Sequence, residues 1–139
     1  MKSILIIDDC EEYRETTAHL LLDAGYDVWE ASCPKEAFEI LHRESFDLIV
    51  CDLHMPFATD ESKDEFVESY EVGVKTVREL KDIFPEIPVI ALSNTPQTNL
   101  TRIARFMESV PTYAKPLYTQ EYLDLVGLHI ENPAASVLQ

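Results

Sequence analysis

Leu48-Ile49-Val50-Cys51 is a short, wholly apolar run that stops at Asp52 and is followed by the turn-forming pair Met55-Pro56. An apolar run without polar alternation suits a central strand covered on both faces. The expectation is a buried strand that delivers Asp52 to a mouth where the sheet meets solvent. Capping a strand end is the plainer role for such a carboxylate. Two other runs repeat the pattern. Ile4-Leu5-Ile6-Ile7 ends in Asp8 and Asp9, and Ile87-Pro88-Val89-Ile90-Ala91-Leu92 ends in Ser93 and Asn94.

Helical spacing fills the intervals. Tyr13, Thr17, Leu20, Leu21 and Ala24 share one face, with Gly25 as terminator and Asp8 or Asp9 as candidate N-cap. Residues 26–31 alternate with period two, as an exposed edge strand does, and Pro34 opens a helix through about Glu44 with Ala37, Phe38 and Leu41 toward the sheet. Gly73 opens a helix carrying Val74, Val77, Leu80, Lys81 and Phe84, stopped by Pro85. A further helix bears Leu100, Ile103, Ala104 and Met107. Thr112-Tyr113-Ala114 is a short last strand before Lys115-Pro116, and residues 118–130 form a closing helix with Tyr122, Leu125 and Val126 inward.

Five strands alternating with five helices predict an α/β fold, an open parallel sheet wound on both faces by right-handed crossovers. Residues 1–131 make one domain and residues 132–139 a loose tail. In such sheets the strand C-termini share one edge, where ligands bind. That edge gathers Asp8, Asp9, Asp52, Ser93 and Lys115.

Composition narrows the chemistry. With 26 acidic against 11 basic side chains, formally −15, the chain repels phosphate backbones and anionic headgroups, so no direct nucleic-acid binding and no membrane partner are expected. Cys10, Cys33 and Cys51 cannot all pair within one chain and suit reduced cytoplasmic thiols. No Cys-x-x-Cys or His-x-x-x-His spacing supports structural zinc. No signal-like or membrane-length apolar run is present. Three carboxylates at one rim repel one another, and a hard cation such as Mg²⁺ relieves that repulsion. One carboxylate then serves as nucleophile on phosphorus while a lysine and a hydroxyl hold the remaining oxygens. Asp52, on the central strand, is the natural nucleophile, with Lys115 and Ser93 as donors.

These residues resemble the receiver domain of two-component response regulators across nearly the whole chain: the pair Asp8-Asp9, Asp52 in Asp-x-x-Met-Pro, Ser93 after a Pro-Val-Ile strand, and Lys115-Pro116 stand in family order. The resemblance implies a flavodoxin-like doubly wound sheet of order 2-1-3-4-5. It also implies Mg²⁺-dependent transfer of a phosphoryl group to Asp52 from a sensor histidine kinase or phosphotransfer protein. Asp9, Asp52 and the backbone carbonyl of His54 would bind the metal, Asp8 would help through water, and Lys115-Pro116 would be cis. The implied protein is a cytoplasmic signalling switch with a downstream protein partner, compatible with a homodimer. It is no enzyme beyond its own phosphorylation and dephosphorylation. Because the sequence stops after a fifth helix, no output domain is expected.

The chain departs from the family pattern at several positions. The family's Met-Asp-Gly is replaced by an acidic insertion, residues 57–72, in which Phe66, Val67 and Tyr70 fall on one helical face with Val74. Asn94 stands where the family has Ala or Gly. The aromatic switch position is Thr112, with Tyr113 one step out of register and so directed to the opposite face. By the family analogy His54 projects at the site entrance, in a tuning role rather than as a side-chain ligand. Two other classes stay open: a Mg²⁺-dependent phosphohydrolase with an aspartyl-phosphate intermediate, and a pseudo-receiver that binds partners without phosphorylation.

Overall fold

The computed structural model describes residues 1–54, 71–93, 110–115 and 119–131. Five parallel strands, β1 (Ser3–Ile7), β2 (Asp27–Ala31), β3 (Leu48–Asp52), β4 (Val89–Ser93) and β5 (Thr112–Ala114), form one sheet in the order β2-β1-β3-β4-β5. The described helices are α1 (Glu11–Asp23), α2 (Pro34–Leu41), α3 (Glu71–Ile83) and α4 (Thr119–Glu131). The expected doubly wound architecture and strand order are both present.

Period-two alternation divides the apolar strand residues between two cores. Ile4, Ile6, Leu48, Val50, Ile90 and Leu92 pack with Ala18 and Leu21 of α1 and with Tyr122, Val126 and Ile130 of α4. Leu5, Ile7, Ile49, Cys51, Val89 and Ala91 pack with Ala37 and Leu41 of α2 and with Val74, Val77 and Leu80 of α3. Because β1, β3 and β4 are covered on both sides, their residues are apolar except at a strand end (Ser3, Asp52 and Ser93), which is why they read as unbroken runs. β2 lies at the sheet edge and is mostly exposed, but without the expected period-two alternation: Trp29 and Glu30 are both exposed and only Ala31 is fully buried.

Element ends differ from the sequence expectation in physically interpretable ways. Neither Asp8 nor Asp9 caps α1. Cys10 occupies that position without a side-chain cap, so the acidic pair is left to the rim. Helix α2 stops at Leu41, short of Glu44, although the backbone N–H of Glu44 still turns back to the Ile40 carbonyl at 2.8 Å. Helix α3 starts at Glu71, two residues before Gly73. That glycine is needed for contact, not for helix initiation. A Cβ on Gly73 would lie 2.2 Å from the Leu53 carbonyl oxygen, so only a bare backbone lets α3 seat against the chain leaving β3. Gly25, at φ +99°, is the terminator expected after α1. The helix expected around Leu100 to Met107, most of the acidic insertion, Asn94, Pro116 and the tail lie outside the described residues.

Candidate functional site

The site stands on the C-terminal edge of the sheet because parallel strands end there together. β1 presents Asp8 and Asp9, β3 ends on Asp52, β4 ends on Ser93, and Lys115 directly follows β5. The Lys115 backbone N–H donates to the Ser93 carbonyl at 2.8 Å, extending the β4–β5 ladder and fixing where the lysine side chain departs.

Lys115 Nζ donates to Asp8 Oδ2 at 2.8 Å and lies 3.6 Å from Asp52 Oδ1. It also stands 4.4 Å from the centroid of the Tyr13 ring, whose face favours a cation. Asp8 Oδ1 accepts the Cys10 N–H at 2.9 Å, and Arg14 Nη1 donates to the Asp8 carbonyl at 2.9 Å. Asp52 Oδ1 accepts the His54 N–H at 3.2 Å. Carboxylate oxygens of Asp8, Asp9 and Asp52 all lie within 4.8 Å of one another.

Asp52 is only 3% exposed. It sits at the strand end as expected, but beneath the surface and not where the sheet meets solvent. That burial has an electrostatic consequence. Burial, with Asp8 and Asp9 adding repulsion, pushes the Asp52 carboxyl up to about 8, against the pull of Lys115 and the His54 N–H. For Lys115, burial works against the charge, but Asp52 and Asp8 outweigh it and hold the ammonium above its usual range. Three oxygen donors this close, one of them disfavoured as an anion by its surroundings, fit a hard divalent cation better than a soft one.

His54 differs from its expected place. Its side chain is buried instead of projecting at the entrance, and Nε2 lies 2.8 Å from Ser93 Oγ, a hydroxyl with no solvent exposure. The structure therefore brings together every candidate residue, Asp8, Asp9, Asp52, His54, Ser93 and Lys115, and adds Tyr13, Arg14 and Gly73. Of these additions only Arg14 had a usable signal, being the sole Lys or Arg in the otherwise acidic opening of α1. Thr112 turns its hydroxyl back to the Val110 carbonyl at 3.2 Å. Tyr113 packs on the opposite face, bonded to His129 Nε2 of α4 at 2.9 Å. The one-residue offset read from sequence thus corresponds to two different faces of β5.

The model of the response regulator receiver domain family matches residues 4–126, and the chain belongs to that family. It is 26% identical over 125 residues to a response regulator receiver protein of Anaeromyxobacter sp., covering 90% of this chain and 47% of that protein. The chain spans less than half the length of the curated relatives it matches. Among solved structures, a receiver domain protein from Methanospirillum hungatei superposes with TM-score 0.77 at 19% identity, covering 96% of this chain and 97% of that one. The response regulator TrrA of Thermotoga maritima, solved in complex with Mg²⁺-BeF, gives TM-score 0.70 at 19% identity over 94% and 99% of the two chains. No helix among the described residues is long and apolar enough to cross a membrane.

Proposed function

We infer that this protein is a phosphorylation-controlled switch in which Asp52 accepts a phosphoryl group from a sensor histidine kinase or phosphotransfer protein. The observation that carries the reading is the clustering of three carboxylates within 4.8 Å with Lys115 beside two of them. An Asp52 oxygen attacks phosphorus, the bond from phosphorus to the donor imidazole nitrogen breaks, and the imidazole leaves with the electron pair. Lys115 turns from Asp8 and Asp52 to a phosphoryl oxygen, and the Ser93 hydroxyl donates a hydrogen bond to another. Asp9, Asp52 and the His54 carbonyl would hold Mg²⁺, with Asp8 assisting through water. The cation would supply positive charge that keeps Asp52 ionised and neutralises phosphoryl oxygens. The Mg²⁺-BeF complex of TrrA, a response regulator with this fold, supports a site for Mg²⁺ and a phosphoryl group in this protein.

The output is a changed binding surface read by a downstream protein, in the manner of receiver domains, with residues 1–131 as the receiver unit. Three free thiols support a reducing, cytoplasmic setting. A phosphohydrolase of aspartyl-phosphate type commonly has an acid two residues after its nucleophile. His54 stands there with Nε2 turned to Ser93, which favours the switch over that alternative.

Intact mass after incubation with Mg²⁺ and acetyl phosphate tests the reading. One acid-labile phosphoryl group should appear in wild type, and none in Asp52→Asn or after chelation of the metal. Wild type without an adduct from any competent donor overturns the switch. Turnover of many donors without an adduct establishes the phosphohydrolase.

A further inference from the structure

We propose that the His54 imidazole is a positioning residue that holds the Ser93 hydroxyl in the unphosphorylated state, so that a phosphoryl group on Asp52 gains Ser93 only by displacing it from His54. The proposal rests on the reading of Asp52 as phosphoryl acceptor and adds a resting restraint to the same site. His54 leaves β3 two residues after Asp52, and its backbone N–H is tied to Asp52 Oδ1 at 3.2 Å. The side chain continues inward to place Nε2 2.8 Å from Ser93 Oγ. One residue thus touches both the phosphoryl acceptor and the hydroxyl donor.

The competition follows from hydroxyl chemistry. Ser93 has one proton to donate. If the imidazole accepts it, that proton is committed and must be withdrawn before a phosphoryl oxygen can receive it. If the imidazole instead donates to Oγ, the hydroxyl keeps its proton but cannot shift toward Asp52 without breaking the bond. In both tautomers the bond is lost out of reach of water, because Ser93 is wholly buried and His54 nearly so. The resting conformation is favoured by that amount, and a ligand shifts the equilibrium only by its differential affinity for the two positions of Ser93.

The test is a double-mutant cycle on binding of beryllofluoride, a phosphoryl analogue, at saturating Mg²⁺, followed by calorimetry. His54→Leu keeps an apolar side chain of similar reach but removes the restraint, and should tighten beryllofluoride roughly 2- to 10-fold, the range set by one hydrogen bond. In the Ser93→Ala background the same substitution should change affinity less than 2-fold, and His54→Gln, which retains a hydrogen-bonding nitrogen, should stay near wild type. Equal effects of His54→Leu in both backgrounds, or none in either, overturn the restraint. Failure of wild type to bind beryllofluoride overturns the Asp52 reading instead. As a readout free of metal and phosphoryl, the His54 Nε2 resonance in the ¹⁵N spectrum should move on Ser93→Ala. An unmoved resonance also overturns the proposal.

Discussion

Polar groups are buried in two parts of this molecule, on opposite terms. At the rim, Asp8 and Asp52 are both nearly inaccessible, share one ammonium and repel one another. In the body, His129 and Tyr113 form a neutral pair between α4 and β5, and Tyr122 lies buried between α1, α4 and the sheet. The rim sets like charges around one ammonium, a conflict that a proton on Asp52 or a bound cation relieves, whereas in the body His129 is paired with Tyr113. Truncation should therefore destabilise in the body, and at the rim it should stabilise the unliganded protein while removing function.

The largest effect is expected in the body. Tyr122→Ala removes a wholly buried ring and should cost about 3–5 kcal/mol in urea unfolding. A loss under 1 kcal/mol would mean that the α4 face is not the firm side of the contrast. Gly73→Ala, where body meets rim, should cost about 1–3 kcal/mol, because the methyl collides with the Leu53 backbone. It should also slow phosphorylation by acetyl phosphate, since Leu53 lies between Asp52 and His54.

At the rim the sign reverses. The Asp52 carboxyl is raised to about 8, so the folded, Mg²⁺-free protein binds a proton that the unfolded chain releases near its ordinary value. Wild-type stability should fall as pH rises from about 4 to about 8, and Asp52→Asn should escape that slope. At pH 8 without Mg²⁺ the variant should melt about 3–6 °C higher, and Mg²⁺ should narrow the gap by stabilising only wild type. A lower melting temperature for Asp52→Asn under those conditions would erase the contrast.

The smallest effect belongs to His129. Burial holds its imidazole below the usual histidine range, so the unfolded chain takes up a proton first as pH falls. This contribution to stability is present above the ordinary histidine value of ~6.5 and is lost as pH drops below it. His129→Gln should be slightly less stable at pH 8, and should show a shallower decline than wild type between pH 6.5 and 5, read by thermal denaturation.

β1, β3 and β4 were legible because burial on both faces forces an unbroken apolar run, and their polar ends were legible because the runs stop at Asp8, Asp52 and Ser93. Lys115 followed from the short strand before it. Depth was not legible: a carboxylate at a strand end reads the same whether it meets water or lies beneath neighbouring residues. The direction of the His54 side chain was equally hidden, since nothing local ties a residue beyond the strand to a hydroxyl 39 positions away. Cys10 as the N-cap residue defeats a rule based on side-chain acceptors. Gly73 looked like a helix opener because its real constraint is the backbone of a residue 20 positions earlier, a contact that no pattern along the chain records.

That same contact separates the length of the acidic stretch from the geometry of Asp52. The chain departs after His54 and is back against Leu53 by Gly73, so the departure and return points are anchored to one another by backbone. Closure entropy grows by only about 0.6 kcal/mol per doubling of loop length, so a change in the number of residues between His54 and Glu71 should leave Asp52 in place. The limit on shortening is set by α3. The Thr76 hydroxyl donates to the Val72 carbonyl at 2.7 Å, so a graft or truncation that stops before Glu71 keeps the helix start, whereas one that consumes Val72 frays it.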